Sequence, residues 1–168
     1  VVFPEISYGF YEVYADLYGL EQEKIPLKPD FSIDYRDYCG KNKMVVIANP
    51  NAPTGMSIPV FQIEEILKSN PDSLVLIDEA YVDFGGESAV NLIHKYDNLL
   101  VTGTFSKSRS MAGARLGFGV ATPALIADLN TLRYSLNPYN VNRMTMAAGL
   151  GMLADADAFD RNRRAVMA

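Results

Sequence analysis

Residues 44–78 read MVVIANPNAPTGMSIPVFQIEEILKSNPDSLVLID, and this stretch predicts the fold. Met44 to Ala48 and Leu74 to Ile77 are short apolar runs rich in β-branched residues, which is typical of buried strands. The segment between them begins near Pro59, ends at Asn70-Pro71 and has the spacing of an amphipathic helix. The apolar face of that helix consists of Val60, Ile63, Ile66 and Leu67. The stretch therefore predicts a strand–helix–strand unit.

The same alternation continues outside this stretch. Leu99 to Val101 and Leu116 to Val120 predict two more strands, and Tyr8 to Tyr18 predicts a helix that ends at Gly19. Strands that alternate with helices indicate an α/β fold, which consists of a mostly parallel sheet flanked by helices. Because the sequence contains no repeat, low-complexity tract or linker, we expect residues 1–168 to form a single domain.

Two further helices are predicted in the C-terminal third. One begins at Thr122-Pro123 and ends at Asn137-Pro138. From Val141 onward, small and apolar residues predict a long packed helix, whose charged continuation from Asp160 to Arg164 is expected to be solvated. The expected inner face of the first of these helices consists of Leu125, Ile126, Leu129 and Leu132.

Composition excludes several classes of function. A formal net charge of −5 and scattered Lys and Arg residues give no field that would attract nucleic acid. The single cysteine, Cys39, and the single histidine, His94, form neither a disulfide nor a metal-ligating cluster. No apolar stretch reaches the roughly 18 residues that span a bilayer. We therefore expect a cytoplasmic protein without a metal, membrane or nucleic-acid partner. Because the chain opens at Val1 without a methionine, we also expect it to be part of a longer protein.

Chemically useful side chains follow three of the predicted strands. Asp78 and Tyr81 come after the Leu74 to Ile77 strand, the loop containing Asn51 follows the Met44 to Ala48 strand, and Lys107 follows the Leu99 to Val101 strand. In parallel α/β sheets, ligands bind outside the carboxyl ends of the strands. The sequence therefore predicts that these residues surround one crevice.

These residue types match the needs of pyridoxal 5′-phosphate. An amine such as that of Lys107 can form a Schiff base, and a carboxylate such as that of Asp78 can keep a pyridine nitrogen protonated. The neighbouring cations Arg109 and Arg115 would favour loss of the lysine proton. The alternative for Lys107 is a solvated surface lysine, and the alternative for Asp78 is a carboxylate that caps the following turn.

The remaining groups would hold other parts of the cofactor. Arg115 has the planar fork that grips phosphate oxygens, and Thr104 and Ser106 could add hydroxyl donors, although local turn bonding competes for both hydroxyls. Tyr81 could donate to the phenolic oxygen of the ring, and Tyr8 could lie on the ring face. Cys39 and His94 are interpreted as structural.

The ordered set of motifs resembles the fold type I pyridoxal-phosphate enzymes, specifically the class I/II aminotransferases and their histidinol-phosphate aminotransferase branch. The resemblance implies that Lys107 carries the cofactor and moves a proton between the substrate Cα and C4′. It also implies that Asp78 pairs with the pyridinium, Tyr81 binds O3′, Tyr8 stacks on the ring, and Ser106 and Arg115 hold the phosphate. The motifs are Pro4-Glu5-Ile6-Ser7-Tyr8-Gly9-Phe10-Tyr11, Asn49-Pro50-Asn51-Ala52-Pro53-Thr54-Gly55, Asp78-Glu79-Ala80-Tyr81, Ser106-Lys107 with Arg115, and Pro138-Tyr139-Asn140-Val141-Asn142.

The resemblance also implies a reaction and a partner. It implies a transaminase that converts histidinol phosphate and 2-oxoglutarate into imidazole acetol phosphate and glutamate, in histidine biosynthesis, within a homodimer. This chain resembles the central part of the large, cofactor-binding domain, without the small domain, so we expect it to be inactive alone. Ala52 stands where the family usually has an asparagine that binds O3′, and the adjacent Asn51 is the candidate replacement.

Three alternatives remain open at this point. A phosphothreonine decarboxylase of the same fold would share the cofactor contacts and also take a phosphorylated amino substrate. Another class I/II aminotransferase would differ only in its substrate. A cofactor-free α/β binding module would leave Lys107 and Arg115 on a solvated loop, although converging charged groups at apolar strand ends is costly without a ligand or partner.

Overall fold

Six strands form one sheet in the computed structural model of the protein, which describes all 168 residues. The five strands that come first in the chain run parallel to their neighbours, and the last runs antiparallel to the fifth. The strands are β1 (Val2–Pro4), β2 (Glu23–Ile25), β3 (Val45–Ala48), β4 (Val75–Asp78), β5 (Leu99–Thr104) and β6 (Gly117–Val120), in the spatial order β2-β1-β3-β4-β5-β6.

The register of the central strands decides where the site lies. Ala48 of β3 is the partner of Asp78 of β4, and Asp78 is in turn the partner of Thr102 of β5. These three residues therefore form one row across the sheet, near the carboxyl ends of three adjacent parallel strands. In open α/β sheets this edge is where ligands bind.

Five α-helices accompany the sheet. The second packs on the central strands and buries Ile63, Ile66 and Leu67 against Val45, Ile47, Val75 and Ile77, all within one apolar core. Each fully buried side chain of this size contributes about 1.5–3 kcal/mol relative to an exposed one. The helices are α1 (Phe10–Leu17), α2 (Val60–Ser69), α3 (Pro123–Leu136), α4 (Arg143–Ala154) and α5 (Ala156–Met167).

The predicted fold class is confirmed, since the sheet is mostly parallel and flanked by helices. The four predicted strands correspond to β3, β4, β5 and β6, and the predicted helices at Pro59 and Thr122 correspond to α2 and α3. Strands β1 and β2 were not predicted, because a three-residue strand is too short to show a periodic pattern. None of the five helices is long and apolar enough to cross a bilayer.

In the C-terminal third, one expectation is wrong and another is only partly met. The single helix expected from Val141 is divided into α4 and α5 at Asp155, whose carboxylate accepts a hydrogen bond from the Ala158 N–H and so begins a new helix. The expected inner face of α3 is partly covered, because Leu125, Ile126 and Leu129 are half-buried whereas Leu132 is 57% exposed. In α4, Leu150 is 69% exposed. Parts of the apolar faces of both helices therefore remain uncovered within the 168 residues.

Candidate active site

A cavity of about 390 Å³ opens at the carboxyl ends of β3, β4 and β5. Its volume lies within the range of roughly 300–1,000 Å³ that is usual for small-molecule sites. Its walls include the row Ala48, Asp78 and Thr102, together with Lys107 and Arg115. An acid, an amine and a guanidinium from separate parts of the chain therefore face one space.

Asp78 lies at the end of β4, where both of its carboxylate oxygens are held. The Ala80 N–H donates to Oδ1 at 3.0 Å, and the Tyr11 hydroxyl donates to Oδ2 at 2.8 Å. The first contact is the turn cap that was one of the two predicted roles for this residue. The second contact comes from α1 and was not expected. An ionised carboxylate accepts up to about four hydrogen bonds, so Asp78 retains acceptor capacity toward the cavity.

Lys107 lies in the turn after β5 and reaches toward Tyr81. Its Nζ is 5.1 Å from the centroid of the Tyr81 ring, and both residues line the cavity. Ser108 holds this turn in place, because it is buried and its hydroxyl donates a hydrogen bond to Asp83. Lys107 itself is exposed, so its amine is accessible from the cavity.

Arg109 is not among the residues that line the cavity, although it was expected to contribute its charge there. Its guanidinium carbon lies 4.2 Å from the centroid of the Phe159 ring, and its Nη1 donates to the Met152 carbonyl at 3.4 Å. Met152 belongs to α4 and Phe159 to α5. Arg115 is therefore the guanidinium that shares the cavity with Lys107.

Arg115 has an unusual backbone. Its φ of +53° is left-handed, a conformation that is uncommon for residues other than glycine. Gly117 leaves little room for a side chain, since a Cβ at that position would lie 3.0 Å from the Gly103 carbonyl oxygen of β5. The Arg115 Nη1 donates to the Ala112 carbonyl at 2.8 Å, which leaves its other donors for a ligand.

The two candidate hydroxyls differ in their local bonding. Thr104 Oγ1 accepts from the Ser106 N–H at 3.1 Å and donates to the Leu116 carbonyl at 3.4 Å. These are the local turn bonds that were predicted as the alternative to a ligand contact. Both Thr104 and Ser106 line the cavity, but the Thr104 hydroxyl already has partners within the chain.

Asn51, the predicted contact to the cofactor from this loop, is not among the residues that line the cavity. Its side chain is 1% exposed, donates to the Ile6 carbonyl at 2.9 Å and to Thr54 Oγ1 at 3.2 Å, and accepts from the Ser7 hydroxyl at 2.9 Å. It therefore fastens its own loop to the segment before α1. Ala52 faces the cavity in its place.

Two tyrosines lie near the start of α1: Tyr8 precedes the helix and Tyr11 is in its first turn. Tyr8 lines the cavity, is 50% exposed, and has its ring centroid 5.6 Å from that of Tyr11 in an edge-to-face arrangement. Tyr11 is half-buried, and burial followed by the charge of Asp78 raises the pKa of its hydroxyl well above the ordinary value. Sequence reasoning missed Tyr11, because it is 67 residues from Asp78 and is one of ten tyrosines.

Glu79 is a second residue that sequence reasoning did not assign. It is 6% exposed, its Oε1 accepts from the Ala89 N–H at 2.7 Å, and its Oε2 accepts from the Ser88 hydroxyl at 2.7 Å. Burial raises its pKa above the ordinary value of 4.5. The carboxylate ties the end of β4 to the short helix Val90–His94 and so supports the loop that carries Tyr81.

The family of the chain follows from comparison with known proteins. The sequence profile of the family described as aminotransferase class I and II matches residues 1–168. The chain belongs to this family. Histidinol-phosphate aminotransferase 2 of Dechloromonas aromatica (strain RCB) is 50% identical over 169 residues, which cover 100% of this chain and 48% of that protein. This class I and II aminotransferase chain spans about half the length of the curated relatives it matches.

Solved structures have the same fold as this aminotransferase chain. Histidinol-phosphate aminotransferase from Clostridium acetobutylicum superimposes with a TM-score of 0.87 at 28% identity, over 96% of this chain and 50% of that one. The enzyme of the same name from Sinorhizobium meliloti, solved in complex with pyridoxal-5′-phosphate, superimposes with a TM-score of 0.84 at 24% identity. That match covers 97% of this chain and 46% of the other, and shows the shared fold.

Proposed function

We propose that the whole protein is a pyridoxal-phosphate-dependent transaminase and that this chain supplies its cofactor-binding region. The observation that carries the proposal is the convergence of Asp78, Lys107 and Arg115 on one cavity at the carboxyl ends of parallel strands. Membership of the class I and II aminotransferases and the pyridoxal-5′-phosphate in the related Sinorhizobium meliloti structure support the same cofactor.

The side chains around the cavity fit the chemistry of this cofactor. When bound, pyridoxal 5′-phosphate supplies an aldehyde carbon that condenses with amines and a protonated ring that absorbs electrons from a substrate Cα bond. Lys107 presents the amine, Asp78 the carboxylate for the ring nitrogen, and Arg115 the fork for the phosphate. Each of these three side chains would therefore meet a different requirement of the ligand.

The remaining residues would orient the ring and complete the phosphate site. Tyr81, whose ring lies beside the Lys107 amine, is proposed to donate to O3′, and Tyr8 at the cavity wall is proposed to cover the ring face. Ser106 is proposed to donate its hydroxyl to the phosphate, with Thr104 supporting the turn through its local bonds. The Lys107 amine would be the group that moves a proton at the substrate Cα.

Histidinol phosphate and 2-oxoglutarate are the proposed substrates, with imidazole acetol phosphate and glutamate as products. The relative from Dechloromonas aromatica, at 50% identity, supports this choice, as does the name of the Clostridium acetobutylicum structure. The whole protein would then act on small amino and keto acids in histidine biosynthesis, within the cytoplasm.

The architecture of the whole protein is also part of the proposal. Residues 1–168 would form a single, partial large domain, because they match about half the length of their curated relatives. A homodimer is proposed because α1 and α4 expose large apolar side chains, among them Leu17 at 70% and Met144 at 85%. We expect the 168-residue chain alone to be catalytically inactive.

Replacement of Lys107 tests the proposed function. The whole protein is mixed with pyridoxal 5′-phosphate, and the absorbance band of the lysine-bound cofactor is recorded, followed by borohydride reduction and mass spectrometry of the peptides. Lys107→Ala should abolish the band and lower transamination at least about a hundredfold, because the amine is both the attachment point and the proton carrier. Lys107→Arg, which retains the charge but not the nucleophile, should also lack the band.

The matched control is Lys95→Ala, since the Lys95 side chain is 64% exposed and lies outside the cavity. Its band should be unaltered. Absence of a band in the unaltered protein, or a band that persists in Lys107→Ala, would refute the proposal. Release of carbon dioxide in place of glutamate formation would indicate the decarboxylase reaction instead.

A further inference from the structure

Tyr11 links helix α1 to the carboxylate at the end of β4. Its hydroxyl donates to Asp78 Oδ2 at 2.8 Å across the interface between these elements. The ring is fixed on two sides by edge-on contacts, with centroid distances of 6.2 Å to Phe3 of β1 and 5.6 Å to Tyr8. The hydroxyl is therefore presented to Asp78 by a side chain with little freedom to rotate away.

The contact determines which way the Asp78 carboxylate faces. The Ala80 N–H holds Oδ1 from the following turn, and the Tyr11 hydroxyl holds Oδ2 from the helix. Two donors on separate elements define the plane of the carboxylate, and a carboxylate with two of about four acceptor positions filled still has capacity for another donor. Because Asp78 lines the cavity, that capacity is available to a ligand there.

We propose that Tyr11 is a positioning residue for the cofactor, which holds Asp78 in the orientation that receives the protonated ring nitrogen. The inference rests on the proposed function, since it assigns to Tyr11 a part in binding the same cofactor. Tyr11 does not line the cavity and would not touch the ring. It acts through Asp78, and its edge contact also backs the ring of Tyr8, which is proposed to cover the cofactor face.

The chemistry of Tyr11 suits a permanent donor. Burial and the adjacent Asp78 charge raise the pKa of its hydroxyl well above the ordinary value, so the proton remains on the phenol over the working range of an enzyme. The Tyr11 hydroxyl does not need to gain or lose a proton for this role. A phenylalanine at this position would preserve the edge contacts with Phe3 and Tyr8 and remove only the donor.

A purely structural tie between α1 and β4 is the competing explanation. It would weaken every ligand of the cavity to the same degree, because a loosened helix disturbs the whole wall. A positioning role would instead weaken only the contact between Asp78 and the ring nitrogen of the ligand. A cofactor analogue in which a carbon replaces the ring nitrogen, 1-deaza-pyridoxal 5′-phosphate, separates the two explanations because it has no proton to give to Asp78.

The experiment compares dissociation constants of both ligands for the whole protein, stripped of cofactor, and for its Tyr11→Phe variant. We expect Tyr11→Phe to weaken pyridoxal 5′-phosphate binding about tenfold, as for loss of a hydrogen bond to a charged group, and to change binding of the analogue less than about twofold. Tyr14→Phe is the matched control on the same helix, since Tyr14 is 53% exposed, and it should change neither constant.

The outcomes distinguish this inference from the function on which it rests. Equal weakening of both ligands, or no weakening of either, would overturn the positioning role while leaving the proposed function intact. Failure of the unaltered protein to bind pyridoxal 5′-phosphate would overturn both. Because the two ligands are compared within one variant, a partly unfolded preparation affects both constants alike. In an Asp78→Asn background, Tyr11→Phe should add less than about a twofold further loss, because coupled residues are not additive.

Discussion

The Asp78 carboxylate serves two purposes, one with each oxygen. Oδ1 stabilises the turn that leaves β4, and Oδ2 is held by Tyr11 of α1. A turn cap and a ligand-facing carboxylate are therefore compatible at one position, because each lone pair of an ionised carboxylate can have a separate partner. The same distinction explains Thr104, whose single hydroxyl has its local bonds filled and so has less to offer a ligand.

Arg115 is predicted to recognise the phosphate rather than the ring. Arg115→Ala should weaken binding of pyridoxal 5′-phosphate about tenfold to a hundredfold, since hydrogen bonds to charged groups contribute about 1.5–3 kcal/mol. Pyridoxal, which lacks the phosphate, should bind the variant and the unaltered protein equally. The measurement is equilibrium titration of both ligands, with Arg161→Ala on the exposed side of α5 as the control. An equal loss of affinity for both ligands would mean that Arg115 maintains the conformation of its loop and does not bind the phosphate.

At the level of elements, the connection after β4 depends on a buried acid. Glu79 accepts hydrogen bonds from Ser88 and from the Ala89 N–H, and its pKa is raised because burial disfavours the charged form. A carboxyl group with a raised pKa in the folded state contributes stability that is fully present below its ordinary pKa and is lost as the pH rises through the raised value. The connection is therefore expected to weaken toward neutral pH.

Glu79→Gln removes this titration and should change the pH dependence of folding. The free energy of unfolding of the unaltered protein should fall, relative to that of the variant, as the pH rises above 4.5. The difference between the two proteins should therefore widen as the pH rises. Urea unfolding at a series of pH values measures it. Glu87→Gln, at an exposed position in the same connection, is the control, and a Glu79→Gln curve parallel to the unaltered one would contradict the prediction.

The elements that were predicted well from the sequence are those whose apolar side chains are buried within this chain. Strands β3, β4 and β5 contain the fully buried residues Val45, Val75 and Leu99, and α2 packs against the first two of these strands. Burial within the chain produces a regular apolar pattern, which can be read without coordinates. Helices α3 and α4 also have exposed apolar residues, among them Leu132 and Leu150, so the two helices were predictable and the extent of their packing was not.

On the scale of the whole molecule, the site is assembled from stretches that are far apart in the chain. Residue types and strand ends indicated Asp78, Lys107 and Arg115, because parallel topology brings carboxyl ends to one edge. The direction of individual side chains was not predictable, as Asn51, Arg109 and Tyr11 show. Each of these three depends on a partner more than 40 residues away in sequence, which local patterns do not encode.

One chain supplies both Lys107 and Arg115 to the same cavity, which makes a prediction for the proposed homodimer. A mixture of Lys107→Ala and Arg115→Ala subunits, dissociated and reassembled, should recover no activity above that of the separate variants, because every cavity still contains one substitution. Steady-state transamination measures this. As a control, reassembly of Lys107→Ala with unaltered subunits should retain activity in proportion to the unaltered share. Recovery in the mixed variants would mean that the two residues serve different cavities.

The scattered origin of the cavity walls has a thermodynamic consequence. A ligand bound in the cavity would contact several segments at once and would hold them together. These segments are the one before α1, the ends of β3, β4 and β5, and the turn containing Arg115. The binding free energy of the ligand would add to the energy needed to open the sheet as a whole. Helix α5 contributes no side chain to the cavity, so its local unfolding should be the same with and without a bound ligand.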